Sequence, residues 1–204
     1  MAAVSRSRTA RAASVLVGIT LLAIPTASSA HARHHRVRHA PRSTACVNAN
    51  VRATAAPIPV MRTVVVCLLN KQRVSRGLPA LHADSRLNNS AQAWSNVMVG
   101  QSIFTHGSNF AARISAAGFV WSSAGENIAT GFGTPNQVVN AWMASAGHCA
   151  NILSPNYADV GTGVNPRPVS GYASNPSTWT NDFALPMGAP APSGNWGPAD
   201  GCPY

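Results

Sequence analysis

Acidic residues and long apolar runs are both scarce in this sequence, and each scarcity narrows the functions to consider. No apolar run approaches the roughly 20 residues of a membrane-spanning helix, so no transmembrane segment is expected. Neither a phosphate-binding loop nor a dinucleotide-binding glycine pattern is recognisable. Hydrophobic residues still make up 46% of the 204-residue chain, which excludes disorder of the whole chain and suffices for the core of one domain.

Only five residues are acidic, against fifteen Lys and Arg, and the formal net charge is therefore +10. By itself, that charge suggests a partner such as nucleic acid. Seven of the basic residues lie within residues 1–42, and the eight that remain, set against the five acidic residues, leave +3 from residue 43 onward. That balance is ordinary for a domain surface, so a nucleic-acid partner is not expected.

Residues 1–32 have the features of a secretory signal peptide. An arginine-rich start precedes an apolar stretch at 12–24, and the small residues that follow allow cleavage after Ala30 or Ala32. Because the apolar stretch is too short to span a bilayer, a cleaved signal is favoured over a membrane anchor. The sequence therefore predicts a secreted, extracellular protein.

Residues 33–60 form a basic leader and linker ahead of the domain. The segment 31–42 holds four of the seven histidines and four arginines but one large apolar residue, so it cannot build a core. Two interpretations remain open: an arm that binds metal or a polyanion, and a solvated leader. We favour the leader, because nothing there sets a ligand geometry. A Pro/Gly-rich tail at 186–204 follows the domain.

Four cysteines in an exported chain predict two disulfide bonds. Three pairings are possible, and we favour Cys46–Cys67, which pins the segment before the first helix, and Cys149–Cys202, which ties back the tail. A cysteine-based zinc cluster is not favoured, because no two of these residues are two to four positions apart.

Helical spacing precedes strand-like patterns along the chain. Four helices are predicted, with capping residues and terminal glycines at their ends, at 61–77, 84–100, 109–117 and from 134 onward. Two strand-like segments follow at 160–164 and 177–185. Helices first and strands later, without regular alternation, favour an α+β fold with helices packed over an antiparallel sheet.

The residues best suited to chemistry are few and lie close together in sequence. Glu126 is the one glutamate of the chain, and it lies between His106 and His148. A buried carboxylate needs partners, and histidines are suitable ones. Ser145 lies three residues before His148, which follows a turn of small residues just past the fourth helix. We predict that these four residues line a cleft.

Six passages occur in an order that resembles the bacterial branch of the CAP superfamily, which comprises cysteine-rich secretory proteins, antigen 5 and pathogenesis-related 1, also called SCP-like extracellular proteins. They are L-L-N-K-Q-R-V-S-R-G-L (68–78), F-T-H (104–106), G-E-N-I (125–128), W-M-A-S-A-G-H-C-A-N-I-L (142–153), Y-A-D-V-G-T-G-V (157–164) and T-W-T-N-D-F (178–183). The resemblance covers about residues 61–185, which we take as the domain.

The resemblance implies a three-layer α-β-α sandwich with a central antiparallel sheet and a cleft lined by two histidines and two acidic groups. His106 and His148 match the two histidines, and Glu126 matches one acidic position. The other acidic position falls near Ser145, which departs from the pattern. The resemblance also implies a structural role for Asn70 and Arg73, through contacts with later loops.

Three hypotheses follow for the function. The favoured one is a secreted binding module that holds a divalent metal, Zn²⁺ first, through His106 and His148 and binds a lipid, a sterol or a cell-wall fragment. The second is a peptidase-like hydrolase with Glu126, Ser145 and His148 as the candidate catalytic residues. In the third, the same side chains form a hydrogen-bonded network with a purely structural role.

Overall fold

A computed structural model of the protein describes residues 45–192 and 201–202. The predicted signal peptide, its two cleavage positions and the histidine- and arginine-rich segment at 31–42 lie outside the described residues. Across the described ranges, no helix combines the length and the hydropathy needed to cross a bilayer.

Within these ranges the chain forms five helices and four strands. The helices are α1 (Ile58–Val74), α2 (Ser85–Gln101), α3 (Phe110–Ala116), α4 (Pro135–Met143) and α5 (Ala146–Ile152). The strands are β1 (His82–Ala83), β2 (Trp121–Thr130), β3 (Asp159–Asn165) and β4 (Thr178–Pro186).

The helix ends largely follow the signals in the sequence. Asp84 accepts hydrogen bonds from the first backbone N–H groups of α2, and Thr134 accepts one from the N–H of Gln137 at the start of α4. α1 begins at Ile58, three residues before its apolar periodicity suggested, because Pro59 lies in the first turn, where no N–H partner is needed.

The four strands form one mixed sheet in the order β1-β3-β4-β2. β4 pairs antiparallel with β3 on one side and with β2 on the other, while the two-residue β1 runs parallel to β3 at the far edge. The expected central antiparallel sheet is therefore present, with a short parallel addition.

Helices cover both faces of this sheet, which makes the expected three layers. On one face α2 and α3 pack through Leu87 and Ile114. α2 lies so close to β3 that a Cβ at Gly161 or Gly163 would overlap the helix backbone. The other face carries α1, α4 and α5, and its larger core includes Trp142 and other apolar side chains from these helices and from β3 and β4.

Two elements that matter for function were not predicted. β2 has little strand propensity in its Ser-Ser-Ala-Gly-Glu-Asn segment, and it becomes a strand by pairing along its length with β4. α5 has seven residues, too few for a clear apolar period. His148 lies within this short helix. The sequence predicted that it follows a turn of small residues past α4, and that prediction is wrong.

Both disulfides have the pairing that we favoured. Cys46 bonds to Cys67, which joins the segment before α1 to that helix. Cys149 bonds to Cys202, which joins the tail to α5 directly beside His148. Each such bridge typically stabilises a fold by about 2–4 kcal/mol, mainly by restricting the unfolded chain.

A buried guanidinium on α1 organises the loops around it. Arg73 is 0% exposed and donates hydrogen bonds to the carbonyl oxygens of Pro79, Ile152, Ser154 and Tyr157. Burial lowers the pKa of this side chain to about 10, so it remains charged at neutral pH. The charge is thus dispersed over backbone dipoles from two separate parts of the chain.

Asn70, one helical turn earlier, fixes the adjacent loop. Its side-chain amide donates to the carbonyl oxygen of Leu81 at 2.9 Å and accepts from the N–H of the same residue at 2.7 Å. Asn70 and Arg73 thus contact later loops, as the resemblance implied.

We predict that Arg73→Met lowers the free energy of unfolding by at least about 3 kcal/mol, because several buried carbonyl groups lose their hydrogen-bond donors together. Lys71→Met on the exposed side of the same helix is the matched control, with an expected change below about 0.5 kcal/mol. Urea unfolding followed by far-UV circular dichroism measures both. Equal stability of the two variants would contradict the central role of Arg73.

Candidate functional site

The candidate cleft lies along β2, which forms one edge of the described sheet. Glu126 is at the middle of β2, and His106 comes from the loop between α2 and α3. Ser145 and His148 come from the start of α5 in the opposite helical layer. The four predicted residues therefore approach the same strand from both layers of the sandwich.

Glu126 is fully buried and is shared by two basic side chains. One of its carboxylate oxygens, Oε1, lies 2.8 Å from Nδ1 of His106, and the other accepts a short hydrogen bond from Arg113. The Glu126 side chain is 0% exposed, whereas His106 is about half exposed. The buried negative charge is thus compensated by a guanidinium, as a buried carboxylate requires.

This contact also sets the orientation of the His106 ring. An ionised carboxylate only accepts hydrogen bonds, so Nδ1 of His106 is the donor to Glu126. Nε2 of this ring has no hydrogen-bond partner in the described ranges. Metal-binding histidines are held in the same way, with one nitrogen donating to a carboxylate and the other facing the ion.

Arg113 is held in place from three sides. Its guanidinium lies over the ring of Trp94, 3.8 Å from the ring centroid, and it also donates to the carbonyl oxygen of His106 at 2.9 Å. Gly107 adopts a positive φ of 70°, and a Cβ there would lie only 3.0 Å from the Trp94 ring. The loop that carries His106 therefore requires glycine at this position.

Ser145 and His148 form a second pair across the cleft. Nδ1 of His148 lies 2.9 Å from Oγ of Ser145, which occupies the N-cap position of α5. Burial, and then the charge of His106, lower the pKa of His148, so its ring is neutral at pH 7.

Side chains cover the free edge of β2 beside this pair. Tyr157 donates to the carbonyl oxygen of Ala124 at 3.2 Å, and Asn151 donates to the carbonyl oxygen of Glu126, also at 3.2 Å. A Cβ at Gly125 would overlap the Tyr157 hydroxyl, which explains the glycine of the G-E-N-I passage. The carbonyl groups of an edge strand are thus satisfied without another strand.

A mainly apolar cavity of about 450 Å³ opens next to His148 and Ser145. Its walls include Ile128 of β2 and Trp142 of α4. Phe104 and Tyr172, which come from two different loops, also line it, and their ring centroids are 5.8 Å apart. The cavity therefore has apolar walls with one polar end, as small-molecule sites commonly do.

A family model described as "CAP: Cysteine-rich secretory protein family" matches residues 66–183. The chain belongs to this family. The match spans more than half of the sequence and includes both histidines, Glu126 and Ser145 of the cleft.

This CAP protein is similar in sequence to a Bacillus protein and in fold to two solved bacterial structures. The uncharacterized protein YkwD of Bacillus subtilis is 35% identical over 163 residues, which cover 78% of this chain and 60% of YkwD. A Bacillus anthracis structure described as an extracellular protein containing a SCP domain has a TM-score of 0.53 at 22% identity, over 63% of this chain and 44% of its own. An outer surface protein of Borrelia burgdorferi has a TM-score of 0.53 at 19% identity, over 60% of this chain and 90% of its own.

These similarities establish the family and the fold of the chain. The two solved structures share the CAP architecture, and at these identities they carry no statement about ligands. The chain spans 60% of the length of YkwD, so that protein is longer than the part compared.

The four predicted residues form two separate pairs in this CAP protein. His106 contacts Glu126, and His148 contacts Ser145. The relay of Ser145, His148 and Glu126 that a hydrolase would use is absent among these contacts. Glu126 instead bonds to His106 and Arg113.

A buried acidic residue next to Glu126 was missed by reasoning from the sequence. Asp182 on β4 lies directly opposite Glu126 on β2 in the antiparallel register. It is 1% exposed, and neither carboxyl oxygen has a hydrogen-bond partner of good geometry in the described ranges. Only the register between two distant strands reveals this neighbour, because the T-W-T-N-D-F passage gives Asp182 no distinguishing spacing.

The surroundings of Asp182 favour its neutral form. Burial, and then the negative charge of Glu126, raise the pKa of Asp182 well above its usual range, with Ser90 and Arg113 as weaker opposing influences. Two facing carboxyl groups beside one guanidinium cannot both ionise at low cost. One proton is therefore retained at this pair.

We predict that Asp182→Asn flattens the dependence of stability on pH between about pH 5 and 8. Because its pKa is raised, Asp182 keeps a proton in the folded protein that it has released in the unfolded chain. The free energy of unfolding therefore falls as pH rises, by up to about 1.4 kcal/mol per pH unit. Asparagine has no such proton. Thermal unfolding across this pH range measures the slope.

Asp84→Asn is the matched control, because asparagine is also a good N-cap. A hydrogen bond from Arg86 lowers the pKa of Asp84, so its titration lies below this pH range and its replacement leaves the slope unchanged. A slope in Asp182→Asn equal to that of the wild type would show that Asp182 is ionised in the folded protein.

Proposed function

We propose that this CAP protein is an extracellular binding module. Its cleft holds a divalent metal ion, Zn²⁺ first, between His106 and His148, and the adjoining cavity receives the apolar part of a lipid, a sterol or a cell-wall fragment. One observation carries the proposal: His106 and His148 are each held through Nδ1, and His148 lines an apolar cavity of about 450 Å³.

The histidine pair suits a metal ion in its chemistry. Zinc binds neutral imidazole, and the lowered pKa of His148 keeps that ring neutral at pH 7. Glu126 orients His106, and Ser145 orients His148, so that Nε2 of each ring is left for a ligand. A bound Zn²⁺ would polarise an oxygen atom of a molecule in the cavity.

The donor set fits an open, exchangeable site and not a closed structural one. Within the described ranges, no cluster of three or more His, Cys, Asp and Glu side chains is placed to hold a metal ion. Glu126 is engaged by His106 and Arg113, and serine stands where the family pattern has an acidic residue. Two imidazole nitrogens are supplied by the protein, and solvent or the bound molecule would supply the remaining ligands.

Several features support an extracellular location. The two disulfides of the described residues are typical of proteins in oxidising compartments. The sequence begins with a signal-peptide pattern, and the B. anthracis relative is described as an extracellular protein. The proposed ligands are accordingly molecules of the cell surface.

We predict that His148→Ala lowers the number of Zn²⁺ ions bound per chain by one, because one of the two protein ligands is removed. His82→Ala, which removes an exposed histidine on β1, is the matched control and keeps the wild-type number. Isothermal titration calorimetry on the full chain measures both. The four histidines at 31–42 are present in every variant, so their contribution cancels.

The same titration separates metal binding from a purely structural network. Equal zinc binding by the wild type and His148→Ala would refute the metal site. If His148→Ala also lowers the melting temperature by the same amount with and without zinc, the histidine acts through its hydrogen bonds alone.

We predict that Ala141→Leu weakens binding of a dansyl-labelled fatty acid at least tenfold, because Ala141 lines the apolar cavity and a larger side chain fills it. Ala144→Leu, at the exposed C-cap of the same helix, is the control and retains wild-type affinity. Dansyl fluorescence measures the affinities. Equal affinities of the two variants would place the acyl chain elsewhere on the protein.

A hydrolase is the second candidate, and the contact of 2.9 Å between Ser145 and His148 is the observation that favours it. It ranks below binding because Glu126, the expected third member, contacts the other histidine. If the protein hydrolyses casein and Ser145→Ala loses this activity, a hydrolase becomes the better-supported function. If Ser145→Ala hydrolyses casein as fast as the wild type, the activity lies elsewhere on the protein.

A further inference from the structure

A second and larger cavity lies beside the loop between β2 and α4. Its volume is about 660 Å³, and its lining includes Arg52, Phe132, Gln137, Asn140, Asn175 and Pro176. None of the four cleft residues lines it, so it is separate from the candidate metal site. Phe132 also lines the apolar cavity and therefore forms a wall between the two.

The segment that carries Arg52 is fastened to the rest of the domain at three points. The N–H of Ala53 donates to the carbonyl oxygen of Gly133 at 2.9 Å, and the N–H of Asn136 donates to that of Ala49 at the same distance. The Cys46–Cys67 disulfide fixes the start of the segment to α1. Arg52 is thus held at the cavity although its side chain is exposed.

The floor of the cavity is a backbone that is also held in place. Gly131 has a positive φ of 87° and donates to the carbonyl oxygen of Ser177 at 2.9 Å, and Trp179 donates to the carbonyl oxygen of Phe132 at 2.7 Å. A Cβ at Gly133 would lie 3.6 Å from Oε1 of Gln137. The absence of a side chain at Gly133 therefore keeps this part of the cavity open.

The polar groups of the lining are suited to hydroxyl, amide and carboxylate groups of a ligand. The side chains of Arg52, Gln137 and Asn175 make no hydrogen bond within the described ranges, which leaves their donors and acceptors for a bound molecule. No acidic side chain is among the lining residues of this cavity. Phe132 and Pro176 add apolar surface, against which the C–H face of a sugar ring can lie.

We propose that this cavity binds an acidic sugar, that is, a sugar that carries a carboxylate. The carboxylate pairs with the guanidinium of Arg52, the hydroxyl and acetamido groups bond to the amides of Gln137, Asn140 and Asn175, and the ring packs on Phe132. The site is separate from the candidate metal site, because it shares none of the histidines, and it shares Phe132 alone with the lining of the apolar cavity.

The test compares two sugars that differ by one carboxylate-bearing group, N-acetylmuramic acid and N-acetylglucosamine. Saturation-transfer NMR and calorimetry on the full chain measure their binding. We expect the wild type to prefer N-acetylmuramic acid at least tenfold and Arg52→Gln to lose that preference while still binding both sugars weakly. The exposed position of Arg52 leaves the fold unaffected.

Gly133→Val tests the cavity itself. The φ of Gly133 is outside the positive range, and a Cβ meets its neighbours at ordinary contact distance, so the variant is expected to fold and to fill the space. It should bind neither sugar. If its melting temperature differs from that of the wild type, Asn140→Leu on the exposed face of α4 replaces it and should also abolish binding.

Two controls isolate the site. Lys71→Gln removes a cation that lines a different surface cavity, and His148→Ala removes the candidate metal ligand; both should bind N-acetylmuramic acid like the wild type. Equal binding of the two sugars by the wild type would overturn the proposal, as would unchanged binding by Arg52→Gln or by a folded Gly133→Val. Loss of sugar binding in His148→Ala would assign the sugar to the cleft instead.

Discussion

The buried guanidinium of Arg73 holds together the parts of the chain that build the cleft. It binds carbonyl groups near the end of α5 and in the segment that leads into β3, which are about 80 residues away in sequence. Those contacts set the position of α5, and α5 carries His148. Tyr157, whose carbonyl group is one of the four acceptors, supports β2 through its hydroxyl. A side chain without direct contact to the cleft thereby positions α5 and supports β2.

The cleft itself exists because β2 is an edge strand between two helical layers. Glu126 receives His106 and Arg113 from the side of α2 and α3, while His148 comes with α5 from the other side. Side chains from both helical layers cannot converge on the backbone edge of an interior strand, because neighbouring strands occupy both of its edges. Arg113 compensates the buried charge of Glu126, while burial and then that same charge raise the pKa of Asp182 opposite.

Local sequence signals were sufficient for much of the fold. Asp84 and Thr134 are capping residues whose side chains make the bonds that the sequence predicted, and the apolar periods of α1 and α2 are regular. β2 could not be predicted in this way. Its Ser, Ala, Gly and Asn residues have no strand preference, and pairing with β4, whose partner residues lie 48 to 65 positions later, decides its conformation.

The order of residues alone was enough to identify one glutamate between two histidines as the residue types of the cleft. It was also enough to identify the CAP pattern around them. Their partners could not be identified in this way: His106 bonds to Glu126, His148 bonds to Ser145, and Asp182 faces Glu126 only once the chain has folded. The physical reason is that hydrogen bonds and charge compensation act over a few ångströms in space. The register between distant strands and the packing of separate layers set those distances, and neither is encoded by local spacing.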